Sequence, residues 1–134
     1  MPEPARHLVV DASVFVDLLA GTDQAERARV ALSGAVLHAP AHVDAEVLFA
    51  LARLERAGRI GVDRADAGVV NMIDAPVVRH PVHELMQSAW TQRSSLRVTD
   101  ALYVALAEQL DAPLVTTDAR LARARPDAVD VSVL

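Results

Sequence analysis

The sequence predicts an α/β fold in which a parallel β-sheet is covered by helices on both faces. Three observations predict it. Short apolar runs alternate along the chain with longer stretches of helical periodicity, the order from which parallel sheets are built. The runs, such as Leu8-Val9-Val10 and Leu114-Val115-Thr116, are apolar throughout, as strands buried on both sides are. The chain has 134 residues, 52% hydrophobic and 23% charged, which suits one domain (1–134) with a single core.

The elements follow in order. The first seven residues, with two prolines and an acid, read as a loose arm rather than a signal peptide. His7 to Asp11 reads as a buried strand that stops at a carboxylate. Residues 13–20 read as a helix capped by Ser13, with Val14, Phe15, Leu18 and Leu19 on its apolar face. Residues 23–33 form a second helix, ended by Gly34. Val36 to Ala39 is a strand. Residues 42–57 form a long helix closed by Gly58, with Val43, Val47, Leu48, Leu51 and Leu54 at helical spacing. Helix 63–74, strand 76–80 and helix 82–92, the last carrying Trp90, come next. Helix 99–110, strand 113–116, a short helix 118–123 and an edge strand 131–134 complete the chain.

Composition excludes several function classes. There is no cysteine, so disulfides and thiolate metal sites are ruled out. No apolar stretch approaches the roughly 20 residues that span a bilayer, and a cytoplasmic location is expected. The net charge of −5 argues against a broad phosphate-binding surface but not against a compact site charged by metal ions. No glycine-rich phosphate loop is present. All thirteen basic residues are arginine, a side chain suited to bidentate phosphate contacts, though genomic base composition explains the bias equally well.

Ligands of parallel α/β folds bind at the carboxyl ends of the strands. Asp11 follows Leu-Val-Val and Asp118 follows Leu-Val-Thr-Thr, so both fall there. Asp100 precedes the apolar face of Leu102, Tyr103, Leu106 and Leu110, at a helix N-terminus, and Glu46 lies one turn into the 42–57 helix. Taken singly, Asp100 and Asp118 are explained by helix capping. Asp11, ending a buried strand, needs a partner. Together the four make a self-repelling cluster unless protonated or metal-bound. Hard ions such as Mg²⁺ or Mn²⁺ take oxygen ligands of this kind, activate water and stabilise charge at a phosphate.

The segments Leu-Val-Val-Asp11-Ala-Ser13, Glu46-Val-Leu-Phe-Ala-Leu51, Thr99-Asp100-Ala-Leu-Tyr103 and Leu-Val-Thr116-Thr-Asp118 resemble, in this order, the PIN domain, and within it the VapC-like toxins of type II toxin–antitoxin modules. The resemblance implies a three-layer α/β/α sandwich and a Mg²⁺- or Mn²⁺-dependent endoribonuclease. It implies metal-binding and catalytic roles for Asp11, Glu46, Asp100 and Asp118, and site-lining roles for Ser13 and Thr116. It also implies a homodimer and an inhibitory VapB-like antitoxin, with contacts expected on the apolar helices at 13–20 and 42–57.

Other residues compete for attention. Asp44, two positions before Glu46, points about 200° away on a helix, so only one of the two faces the site, and the apolar pattern and the family segment both favour Glu46. Arg93 and Arg97 before Asp100, and Arg120, Arg123 and Arg125 after Asp118, are placed to hold RNA phosphates or simply to face solvent. His38, His42, His80 and His83 lack zinc-motif spacing and read as strand-end or surface residues. Trp90 reads as a core anchor, with a partner interface as the alternative. Two rival phosphate enzymes also place an aspartate after the first strand. A receiver domain needs a late lysine, which is absent, and a haloacid-dehalogenase-type phosphatase needs an aspartate where Ser13 stands. A non-catalytic module on the same fold is the remaining alternative.

Overall fold

The computed structural model describes residues 1–124 and 129–134, and Arg125 lies outside them. Five parallel strands form one sheet in the order β3-β2-β1-β4-β5. They are β1 (Arg6–Val10), β2 (Ala35–Pro40), β3 (Val77–His80), β4 (Leu114–Thr116) and β5 (Val131–Val133), the last at the edge expected for it. The chain steps outward from β1 through β2 to β3, then returns to the other side of β1 for β4 and β5. The reversal places a topological switch point between β1 and β4, where α/β sheets open a crevice at the strand ends. Val10 pairs with Val115, and the Asp11 N–H donates to the Val115 carbonyl at 2.9 Å, so the two strand ends are tied together.

Helices α1 (Ala12–Ala20), α2 (Ala25–Leu32), α3 (Val43–Arg56) and α4 (Val62–Asp74) pack together on one face. On the other lie a 3₁₀ turn (Val82–Leu85), α5 (Met86–Thr91) and α6 (Val98–Leu110). Helix α7 (Ala119–Arg123) leans on β5. The result is the three-layer α/β/α sandwich. No helix among the described residues is long and apolar enough to cross a membrane.

Several local expectations change. Helix α1 begins at Ala12, so Ser13 lies inside it and caps nothing, while Asp11 occupies the N-cap position with extended backbone. The segment 82–92 is not one helix. It starts as a tight turn after Pro81 and becomes helical only at Met86. Helix α6 is buried along Ala101–Ala107 on every side rather than along one stripe, because strands, α5 and the 3₁₀ turn all pack on it. On α3, Val43, Val47 and Leu51 are buried but Leu48 is 50% exposed. Trp90 is 60% exposed and anchors no core. His38 is buried, not a surface residue. It bridges His7 and His80 through ring nitrogens 2.9 Å apart on each side, a ladder across β1, β2 and β3.

Candidate active site

The site is built at the ends of β1 and β4. Asp11 leaves β1 and its carboxylate is fixed from two directions. The hydroxyls of Ser13 and Thr116 both donate to Oδ2 at 2.8 Å, which leaves Oδ1 without a donor side chain. Each hydroxyl also accepts a backbone N–H from the turn after β4: Ser13 Oγ from Thr117, and Thr116 Oγ1 from Asp118. A hydroxyl has one proton to give, so Ser13 and Thr116 are committed to orienting Asp11. Burial pushes the Asp11 carboxyl above its ordinary pKa, and the charge of Glu46 adds to this, against the two hydroxyl bonds that lower it.

Glu46, in the first turn of α3, shares a cleft of about 350 Å³ with Asp11, Ser13, Asp17, Ala50, Arg53 and Thr117. The Tyr103 hydroxyl, carried by α6, donates to Glu46 Oε1 at 2.6 Å. His42 Nε2 lies 3.1 Å from the same oxygen. That contact is poorly aligned, and neither ring nitrogen of His42 has another hydrogen-bond partner among the described residues. Burial alone would raise the Glu46 pKa, but the contacts with His42 and Tyr103 outweigh it and hold the group below the ordinary value. Burial, then the Glu46 charge, push the Tyr103 hydroxyl far up, so it remains a donor. The competition with Asp44 is resolved by geometry. Asp44 turns to Arg79, whose Nε donates to both its oxygens at 2.8 and 3.0 Å, while Glu46 faces Asp11.

Asp100 lies in the first turn of α6 and makes no cap, for Arg97 stands at the N-cap. Burial raises its pKa first, then the charge of Asp11; Arg97 opposes this, and Asp118 and Glu46 raise it further. Asp118 does cap: its Oδ1 accepts the Arg120 N–H at the start of α7. Its carboxylate is also gripped by the Arg120 guanidinium at 2.7 and 3.1 Å. Arg97 spans the two acids, 3.6 Å from Asp100 and 3.9 Å from Asp118.

The fold thus brings all four predicted carboxylates to one end of the sheet, in two lobes. Asp11 and Glu46 face the α1–α3 cleft. Asp100 lies in an adjoining cleft with Arg97 and Arg120. Arg93 is not among the acids; its guanidinium stacks on the Trp90 ring at 4.4 Å. The donors are carboxylate and hydroxyl oxygens, a set that suits hard divalent cations. Among the described residues no three His, Asp or Glu side chains form a ready chelating group, so the acids share a field without forming a closed cage. The sequence missed Tyr103 and Arg53. Tyr103 lies 57 residues from Glu46, and only the fold, which brings its hydroxyl to the Glu46 carboxylate, reveals the pair. Arg53 had a readable signal: it shares a helix face with Glu46 at i+7.

An acidic cluster at the switch point of a parallel α/β/α sandwich defines a class: a carboxylate-centred site on a doubly covered sheet. The comparisons narrow it. The PIN domain family matches residues 8–125. Over 126 residues the chain is 51% identical to Ribonuclease VapC3 of Mycobacterium tuberculosis, covering 93% of this chain and 92% of that one. The fold is similar to that of M. tuberculosis VapC20, described as a sarcin-ricin loop cleaving toxin, with a TM-score of 0.66, 21% identity and coverage of 92% and 98%. It is also similar to VapBC2 from Rickettsia felis, solved bound to a DNA fragment from their promoter, with a TM-score of 0.61, 12% identity and coverage of 95% and 98%. The chain belongs to the PIN-domain family, in its VapC-like branch.

Proposed function

We propose that the chain is a Mg²⁺- or Mn²⁺-dependent endoribonuclease acting in the cytoplasm as the toxin of a type II toxin–antitoxin pair. The observation that carries this reading is the convergence of Asp11, Glu46, Asp100 and Asp118, with Asp11 and Asp100 pushed up by burial and by neighbouring acids. Such repulsion is relieved by a cation. Asp11, Asp100 and Asp118 would hold the ion, with Glu46 as a ligand directly or through water. Bound there, a hard divalent cation supplies Lewis acidity toward water and toward a phosphate oxygen.

The chain's own residues do the rest. Ser13 and Thr116 keep Asp11 in one orientation with Oδ1 free. Tyr103 and His42 both engage Oε1 of Glu46, which leaves Oε2 to orient water or accept its proton. Arg97 is placed to exchange Asp100 and Asp118 for an RNA phosphate once a cation neutralises those acids. Arg93 is a weaker candidate for the same role because it already stacks on Trp90. Attack of water on the phosphate with departure of the 3′ oxygen leaves 5′-phosphate and 3′-hydroxyl ends.

Partners are supported by the VapC-like relationship and by exposed apolar surface. Helix α1 is largely covered, so the surplus lies elsewhere than on that helix. One patch runs over α3 and α4, with Leu48, Val70 and Ile73, and another over α5 and α6, with Met86, Trp90 and Val98. A VapB-like antitoxin and a second copy of the chain would cover these. Light scattering with and without the neighbouring operon product tests both. For the activity, purified protein is incubated with total RNA and Mg²⁺. Cleavage that stops in excess EDTA and in Asp11→Asn and Asp100→Asn supports the reading; cleavage that persists in either refutes it.

A further inference from the structure

Among the described residues, every arginine that lines these clefts is committed except one. Arg120 grips Asp118 and Arg97 spans Asp100 and Asp118. Arg93 lies on Trp90 and Arg79 on Asp44. Arg53, which lines the Asp11–Glu46 cleft, makes no ion pair or side-chain hydrogen bond among the described residues. Three carboxylates share that cleft with it, yet all are engaged elsewhere. Ser13 and Thr116 donate to Asp11, Thr22 donates to Asp17 at 2.9 Å, and Glu46 is held by Tyr103 and His42.

Its position follows from α3. Glu46, Ala50 and Arg53 stand at i, i+4 and i+7 on one helix face. The small side chain of Ala50 leaves an open floor between carboxylate and guanidinium, so an anion at Arg53 would lie about two helical turns, roughly 10 Å, along the helix from Glu46. That is longer than one internucleotide phosphate step and suits a phosphate one or two nucleotides from the bond that breaks. Arg97 and Arg120 stand in the other lobe, so the acids are flanked by arginine on both sides.

We propose that Arg53 is a substrate-binding residue, an anchor for an RNA phosphate flanking the scissile one, and that the strand crosses the carboxylates from the C-terminal half of α3 toward α6 and α7. The inference rests on the ribonuclease reading above. The competing account is that Arg53 merely complements the negative end of the α3 dipole. Arg56, in the same last turn but not lining the cleft, serves that purpose equally and is the control.

The test compares wild type, Arg53→Ala, Arg53→Lys and Arg56→Ala on one single-stranded RNA substrate with Mg²⁺ at several salt concentrations. Arg53→Ala is expected to raise KM roughly tenfold, the loss of one charge-assisted contact. The salt slope of log kcat/KM should fall by about 0.7, the contribution of one phosphate on a single strand. The kcat should stay within about twofold, Arg53→Lys should recover part of KM, and Arg56→Ala should behave as wild type. Melting curves recorded alongside should coincide for all four proteins, since position 53 is exposed. A wild-type KM and salt slope in Arg53→Ala, or an equal defect in Arg56→Ala, overturns the anchor and leaves the ribonuclease reading standing. If wild type cleaves no RNA with Mg²⁺, both fall.

Discussion

Replacing Asp11 by asparagine separates stability from function at this site. The amide oxygen still accepts the Ser13 and Thr116 hydroxyls where Oδ2 does now, so the local hydrogen bonds survive. What disappears is one negative charge among four. A carboxyl whose folded pKa is raised holds its proton more tightly folded than unfolded, so its ionised form opposes folding at neutral pH. That cost vanishes as the pH falls through the folded pKa. Like charges several ångströms apart at a partly solvated site repel by about 1 kcal/mol. Asp11→Asn should therefore melt about 3 °C higher than wild type in EDTA at pH 7.5, with the gap closing near pH 4. A cation reverses the order. At a hundred times its dissociation constant it stabilises wild type by about 2.7 kcal/mol, and the variant by far less. Scanning calorimetry with and without Mn²⁺ measures both effects. A variant that melts below wild type in EDTA, or one that keeps the full Mn²⁺ rise, would mean that Asp11 neither strains the cluster nor holds the cation.

Tyr103→Phe removes the 2.6 Å donor to Glu46 and should cost about 2 kcal/mol, the worth of a hydrogen bond to a charged group, read as a lowered melting temperature. The His38 pKa is lowered from 6.5 by burial and then by His80 and His7. Its stabilising contribution is thus complete above that value and is lost as the pH falls toward the folded pKa. Wild type should lose melting temperature as the pH falls below about 6.5 more steeply than His38→Gln, and equal slopes would contradict this. Gly21 has φ +66° and a Cβ there would collide with the Arg64 guanidinium. Gly21→Ala should cost about 1 kcal/mol in a urea melt, whereas a neutral result would mean that the turn adapts.

The sheet was legible because strands buried on both faces announce themselves as unbroken apolar runs, and because β1 and β4 each end in an acid at the place where parallel sheets put their ligands. Asp11 and Asp118 could be read for that reason. The apolar pattern of α3 already favours Glu46 over Asp44; what only the structure adds is Arg79 standing across from Asp44, 35 residues away. Ser13, at the start of a helix, looks like a cap, and only the convergence of its hydroxyl with that of Thr116 on one oxygen shows that both hold Asp11. Trp90 escaped because aromatic bulk signals burial in general, while here it lies on a short helix at the rim with Arg93 on its face. The histidine ladder depends on strand register, which no single segment encodes.

Whether these four carboxylates direct water to an RNA phosphate is read from the chemistry of the cut ends. Fragments produced by the purified protein with Mg²⁺ are mapped with and without prior phosphorylation of their 5′ ends. Metal-assisted attack by water gives 5′-phosphate and 3′-hydroxyl termini, captured without phosphorylation and abolished by EDTA. Fragments with 5′-hydroxyl and 2′,3′-cyclic phosphate ends, formed in EDTA as readily as in Mg²⁺, would contradict it.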